Sequence, residues 1–200
     1  MNTLNQKKMN IKKIAFFFIL LFASNLGYSQ ITKGTIRLGP ELSFNKSTQE
    51  IDGLNAKFKS SSLDLGISGG YYIIDNLEIG LNLNFLSATN EVDSFEEKER
   101  GTFIGPSVTY MVSAGDNLYI PITGGFGMNS ITSDDDVNEV TFSGLGFGVG
   151  VGLEYLIENK IGARFLLGFN FGSLSDDDST AEIDFSNTDI GVGVNIYFSK

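Results

Sequence analysis

Apolar and polar residues alternate strictly over residues 144–155, where glycine occupies every second position up to Gly152. Leu145, Phe147 and Val149 stand between the glycines. Because successive side chains point to opposite faces of a β-strand, this pattern predicts a strand with one apolar face and one nearly bare face. Whether the apolar face points toward a protein interior or toward lipid decides the class of protein.

The same alternation recurs along the chain and predicts eight strands, most of about ten to twelve residues, with no helix. The connections between these strands alternate between long and short. The long polar segments are 46–61, 87–100, 129–139 and 172–184. Pro106 and Pro121 fall inside strands, where we expect bulges or unbonded positions because proline lacks an amide N–H. The predicted strands are 35–45, 62–73, 77–86, 102–112, 118–128, 141–156, 161–171 and 188–198.

The apolar face is continuous in all eight segments, whereas the opposite face carries mainly Gly, Ser, Thr and Asn. Soluble surfaces are usually rich in Lys and Glu, while a narrow eight-stranded lumen suits small polar side chains. The pattern therefore favours an all-β fold, an eight-stranded antiparallel up-and-down transmembrane β-barrel. A soluble secreted β-barrel that binds a small ligand is the alternative for the fold.

Aromatic residues give an independent indication of a membrane. All tyrosines after residue 30 lie near the strand ends on the side of the short connections, and several phenylalanines lie near the opposite strand ends. Two aromatic girdles are expected where a transmembrane barrel meets the two interfaces. The residues assigned to these girdles are Tyr71, Tyr110, Tyr155 and Phe198 at one end, and Phe44, Phe85, Phe126 and Phe171 at the other.

Residues 1–29 have the organisation of a secretory signal peptide, which leaves 30–200 as the barrel domain. Four lysines precede a ten-residue apolar core at 14–23, and Gly27 and Ser29 offer small residues for cleavage before Gln30. The core is too short for a transmembrane helix. Met9 is an alternative start, because residues 9–13 form a basic segment by themselves.

Composition excludes several kinds of site. The 200 residues include no Cys and no His, so thiolate metal sites and Ser-His-Asp arrangements are absent. The net charge of −10 disfavours nucleic-acid binding, which requires clustered cations. The glycine run has period two and contains no dinucleotide-binding fingerprint. We therefore expect no catalytic residues, no enzyme activity, no metal and no cofactor.

The segments 70–81 (GYYIIDNLEIGL), 105–110 (GPSVTY) and 191–198 (GVGVNIYF) resemble the small outer-membrane β-barrels of the OmpA/OmpX type, in the form common in Bacteroidetes. The resemblance implies a monomer in the outer membrane of a Gram-negative cell. It implies contact with outer-membrane lipid and lipopolysaccharide, and insertion by the barrel assembly machinery. Gly193, Ile196 and Phe198 are similar to the family's C-terminal assembly signal. We expect no appended periplasmic domain.

Four charged residues of the inward face project into the periplasmic half of the barrel: Arg37, Glu78, Glu154 and Arg164. Isolated charges in a narrow interior are costly, so we expect an ion-pair cluster that closes the lumen. A permanent plug is favoured over a gate for ions. We further expect the glycines of 144–152 to leave room for Arg164 to cross the lumen.

Acidic runs at 134–136 and 176–178 fall in predicted external loops. A solvated acidic surface is favoured over a Ca²⁺ site, because no EF-hand loop pattern is present. The sequence thus predicts a non-enzymatic barrel with a structural or surface-interaction role that displays acidic loops. A narrow porin-like channel for ions or small solutes is the alternative function.

Overall fold

Eight antiparallel strands close into a barrel in chain order, with β1 paired to β8. The computed structural model describes residues 31–50, 57–92, 95–134, 139–176 and 182–199. No described segment forms a helix with the length and apolarity needed to cross a membrane. The predicted all-β, eight-stranded antiparallel architecture is confirmed. The strands are β1 Ile36–Glu50, β2 Lys57–Ile74, β3 Leu77–Val92, β4 Phe95–Ser113, β5 Leu118–Asp134, β6 Glu139–Ile157, β7 Ile161–Asp176 and β8 Glu182–Phe198.

Three short turns lie at one end of the barrel, here called the short-turn end, together with the start of β1 and the end of β8. The turns are 75–76, 114–117 and 158–160, where the alternation predicts them. Asn76, Glu158 and Asn159 adopt left-handed backbone conformations, with φ values of 65°, 50° and 57°. Asn tolerates this region better than most residues, which suits it to tight turns.

The opposite end, called the far end, differs from the prediction because the strands continue through most of the expected loops. Each strand has 15 to 19 residues, and β1 reaches Glu50 before β2 begins at Lys57. These strand ends carry few apolar residues, and those present, such as Ile131, Leu174 and Phe185, do not continue the apolar outer face, so the alternation did not indicate them. The predicted loop boundaries were therefore wrong. The remaining connecting segments, 51–56, 93–94, 135–138 and 177–181, lie outside the described residues.

All three prolines interrupt a ladder without shifting its register. The β4–β5 register skips the positions of Gly105 and Pro106, and the β5–β6 register skips Ile120 and Pro121. At the β1–β8 seam, Pro40 lies in a similar gap. A proline has no N–H to donate, so one inter-strand bond is lost at each site. The unbonded positions expected at Pro106 and Pro121 are confirmed.

The faces of the barrel are polarised as the sequence predicts. In β6, Leu145, Val149 and Leu153 are about half exposed, whereas Glu154 on the other face is fully buried. Large apolar side chains are exposed in the same way on every strand. Such a surface is far larger than the apolar patches that soluble monomers carry. The outer face therefore has the chemistry of a lipid-facing surface, which contradicts the soluble alternative.

Candidate functional site

The first ion pair joins strands β1 and β3 across the intervening strand β2. The Nε and Nη2 atoms of Arg37 donate to the two carboxylate oxygens of Glu78 at 2.7 and 2.8 Å. Arg37 is 2% exposed and Glu78 is 0% exposed. A bidentate pair of this kind fixes both side chains and neutralises both charges.

The second ion pair joins the neighbouring strands β6 and β7. Arg164 Nε donates to Glu154 Oε2 at 2.7 Å. The other oxygen of Glu154 accepts from Asn195 Nδ2 at 2.9 Å and from the hydroxyl of Tyr197. Glu154 is thus held by three donors, two of which the sequence did not indicate as partners. Two buried atoms, Arg164 Nη2 and Tyr72 Oη, have no hydrogen-bond partner among the described residues.

Asn195 links the two ion pairs into one layer. Its Oδ1 accepts from Arg37 Nη1 at 2.8 Å, while its Nδ2 donates to Glu154. Arg37 Nη1 also donates to Ser68 Oγ at 2.8 Å. The four charged residues predicted from the sequence therefore lie together in one hydrogen-bonded network. This network is called the ion-pair layer and consists of Arg37, Ser68, Glu78, Glu154, Arg164 and Asn195. The Tyr197 hydroxyl reaches Glu154 from the next inward position of β8.

Space for the ion-pair layer comes from glycines other than those expected. A Cβ at Gly162 would overlap the carboxylate of Glu154, and one at Gly70 would overlap that of Glu78. Arg164 does not cross the lumen, because its partner Glu154 stands directly opposite it on the adjacent strand. The role expected for the glycines of 144–152 was therefore wrong. A Cβ at Gly152, for example, would meet the β7 backbone at Phe165 O instead.

A cavity of about 470 Å³ occupies the lumen, with Arg37 and Arg164 among its lining residues. Glu41, Asp64 and Asp189 add carboxylates to its walls. Asp189 accepts from Asn170 Nδ2 at 2.6 Å. The two arginines already have carboxylate partners in the ion-pair layer, so the remaining charge of the cavity walls is negative.

The tyrosines near the short-turn end divide between the two faces. Tyr71 and Tyr155 are exposed on the outer face, and Tyr110 is half-buried there. Tyr72, Tyr119 and Tyr197 point inward and are buried. The four phenylalanines assigned to the other girdle are all exposed on the outer face. Two of them, Phe126 on β5 and Phe171 on β7, each contact the ring of Phe147 on β6, which the sequence assignment did not include.

The C-terminal motif forms the end of β8 at the closing seam. Phe198 pairs with Ile36 and Ile196 with Leu38 in the register with β1. Ile196 and Phe198 are exposed on the outer face. Gly193 lies opposite Glu41, and a Cβ there would meet the β1 backbone at Pro40 O at 2.9 Å. These residues therefore lie at the seam where the barrel closes.

The acidic runs contribute no assembled site to the described structure. Asp134 and Asp176 end β5 and β7, while residues 135–136 and 177–178 lie outside the described residues. Within the described part of the chain, no group of three or more acidic side chains is placed to hold a metal ion.

Several solved outer-membrane barrels share this fold. Neisserial surface protein A (NspA) matches with a TM-score of 0.61 at 16% identity, covering 84% of this chain and 99% of NspA. The N-terminal β-barrel domain of Pseudomonas aeruginosa OprF matches with a TM-score of 0.54 at 15% identity, covering 84% of this chain and 99% of that domain. The P. aeruginosa outer membrane protein OprG matches with a TM-score of 0.54 at 12% identity, covering 84% of this chain and 98% of OprG.

The sequence comparison agrees with the fold. No curated protein sequence matches the chain. A family model described as outer membrane protein beta-barrel domain matches residues 14–198, which includes every strand of the barrel. The resemblance read from the strand motifs is thereby confirmed. The chain belongs to the outer membrane protein beta-barrel domain family.

Proposed function

We propose that this chain is an integral outer-membrane barrel with a closed lumen and a structural or surface-interaction role, without enzyme activity. The ion-pair layer is the observation that carries this proposal. Both arginines are paired with carboxylates, and all four charged side chains are at most 8% exposed. At this level the interior of the barrel therefore holds charges that are paired and removed from solvent.

The energetics favour a permanent plug over a gate. Removing one partner of a buried ion pair typically costs about 3–5 kcal/mol. If opening breaks such a pair without replacing it, a cost of about 3 kcal/mol holds the open state below about 1%. Because Asn195 couples the two pairs, opening one also disturbs the other.

The far end supports a surface role. A transmembrane barrel needs only about 9–11 residues per strand to cross the bilayer. Strands of 15 to 19 residues therefore extend beyond it at the far end, where Lys98, Arg100 and Asp184 are exposed. We propose that this end faces the outside of the cell and presents a polar surface to external partners.

The remaining partners are proposed from the outer face and from the family. Exposed apolar side chains surround the whole barrel, which suits a monomer in lipid and lipopolysaccharide. Export through a signal peptide at residues 1–29 and insertion by the barrel assembly machinery complete the route to the outer membrane. The C-terminal motif of β8 is the proposed signal to that machinery.

Cell fractionation combined with electrophoretic mobility tests the membrane proposal. The protein is expected in the outer-membrane fraction and should migrate faster before heating than after it, because a folded barrel resists unfolding by detergent. Recovery in the soluble periplasmic fraction, with a mobility that heating does not change, would contradict it.

A narrow channel for ions or small solutes is the second candidate function, and the cavity favours it. The cavity extends from the ion-pair layer toward the far end, and Arg164 has a single hydrogen bond to its carboxylate partner where Arg37 has two. With one hydrogen bond fewer, the Arg164–Glu154 pair is the one expected to open first. Ionic current through wild-type protein in a planar bilayer would support this candidate over the closed barrel.

A further inference from the structure

A second set of buried side chains lies between the ion-pair layer and the short-turn end. It is apolar apart from tyrosine hydroxyls, and its members are at most 4% exposed. It is called the apolar layer and consists of Ile31, Tyr72, Met111, Tyr119, Leu156 and Tyr197.

The strand register places this layer one inward position beyond the ion pairs. Inward-facing side chains occur at every second residue, so Leu156 follows Glu154, and Tyr197 follows Asn195. Met111 likewise follows Thr109, which stands opposite Glu78. The two layers are thus adjacent along the barrel axis, and a solute entering from the short-turn end meets the apolar layer first.

Ile31 belongs to this layer although it precedes β1 and is not part of a strand of the barrel. Residues 31–35, called the N-terminal strap, precede β1 and are fixed to the β2–β3 turn by backbone hydrogen bonds. Asn76 N donates to Ile31 O at 3.1 Å, and Gly34 N donates to Tyr72 O at 2.9 Å. Lys33 N donates to Asp75 Oδ1 at 2.7 Å. These bonds hold the Ile31 side chain against the apolar layer, where it is 3% exposed.

We infer that the short-turn end carries a second barrier, made by the apolar layer and completed by Ile31 of the N-terminal strap. Hydrophobic constrictions close pores by excluding water, and this requires no charge pairing. The two layers therefore block the lumen in series, and opening the ion-pair layer alone does not open the barrel. The inference rests on the proposed closed lumen and names the element that completes the closure.

Planar-bilayer conductance of three variants tests the series arrangement. Arg37→Ser, Glu78→Ser, Glu154→Ser and Arg164→Ser together remove the ion pairs and leave no unpaired charge. Ile31→Ser, Met111→Ser and Tyr119→Ser make the second layer polar. We expect each set alone to be as silent as wild type, and the combined protein to conduct.

A matched control replaces outward-facing apolar residues near the same positions. Ile36→Ser, Val112→Ser and Leu118→Ser, added to the ion-pair set, should leave the barrel silent. Current through the ion-pair set alone would overturn the series barrier, as would a folded combined protein that stays silent. Current through wild type would instead contradict the proposed closed lumen, so the two failures are distinguishable. Heat-dependent mobility confirms folding in each case.

Thiol labelling tests the strap without altering the ion-pair layer, because the chain has no cysteine of its own. Met111→Cys places one thiol in the apolar layer, at a position with 0% exposure. A water-soluble maleimide should react about tenfold faster or more when Ile31→Asp is added, because a charge cannot stay in that layer. Thr32→Asp, at an exposed position of the strap, is the control and should leave the rate unchanged. Equal rates in all three proteins would overturn the role of Ile31.

Discussion

At the scale of single residues, a few buried side chains in the barrel interior are held by several hydrogen bonds each. The carboxylate of Glu154 accepts from Arg164, Asn195 and Tyr197, so its charge is compensated although the side chain is fully buried. A charge in this position is stable only while its donors remain, because an unpaired buried charge is costly. Whether each of these residues stabilises the barrel therefore depends on the presence of its hydrogen-bonding partners.

Replacing Arg164 by Met should lower the free energy of unfolding by about 3–5 kcal/mol, because Glu154 is left buried without its cation. Adding Glu154→Leu should restore most of this loss. The measurement is urea-induced unfolding in lipid vesicles. Far-UV circular dichroism monitors it, because the chain has no Trp whose fluorescence could report unfolding.

Arg100→Met is the matched control for that series. Arg100 is exposed at the far end of β4, so its loss should change the free energy of unfolding by less than about 0.5 kcal/mol. A double variant as unstable as the sum of its single variants would show that the two charges do not stabilise each other.

Gly162→Ala should destabilise the barrel by about 1–3 kcal/mol, because its Cβ overlaps the Glu154 carboxylate and forces the ion pair to move. Gly124→Ala is the control, since a Cβ there meets only Gly148 O at 3.9 Å. The same urea measurement compares the two. Equal stability of the two variants would mean that the ion pair tolerates the displacement.

The four charges of the ion-pair layer could be predicted from the sequence, but their connections could not. Alternation identifies inward residues and strand direction indicates their level in the barrel. It does not specify which side chain contacts which, because that depends on the relative register of all strands. The carboxylate partner of Arg37, Glu78, lies two strands away across β2, and Asn195 gave no signal beyond its inward position.

At the scale of elements, each strand combines a membrane-spanning part with a polar extension. In β4 the outward positions pass from Lys98 and Arg100 through Thr102 to Ile104 and Val108. The apolar part gave a clear alternation and could be predicted from the sequence. The extension lacks a continuous apolar outer face, so the sequence pattern predicts loops there.

Val108→Arg should cost about 2–4 kcal/mol of stability, because it places a charge on the lipid-facing part of β4. Thr102→Arg, on the same face of the same strand, should cost less than about 1 kcal/mol near the interface. Urea-induced unfolding in lipid vesicles measures the free energy of unfolding of both variants. Equal costs at the two positions would contradict the proposed boundary of the membrane.

At the scale of the whole molecule, closure depends on the seam between β1 and β8. The C-terminal residues Ile196 and Phe198 complete this seam, so the barrel cannot close before the end of the chain is in place. This agrees with the proposed role of the motif in assembly and with the family's location in the outer membrane.

Phe198→Ser should reduce the amount of heat-modifiable protein in the outer membrane of expressing cells, because it removes the aromatic residue of the proposed assembly signal. Phe44→Ser removes an equally exposed aromatic residue from β1 and should leave the yield near that of wild type. Quantitative blotting of outer-membrane fractions compares the two. Equal loss in both variants would assign Phe198 to the lipid interface alone.

We propose above all that the barrel crosses the outer membrane with its lumen closed. Single-channel recording of refolded wild-type protein in a planar bilayer, with and without external Ca²⁺, tests it most directly. We predict no discrete current steps in either condition, because the ion-pair layer and the apolar layer both block the lumen. Reproducible current steps from protein that is shown to be folded would contradict the claim and establish a channel.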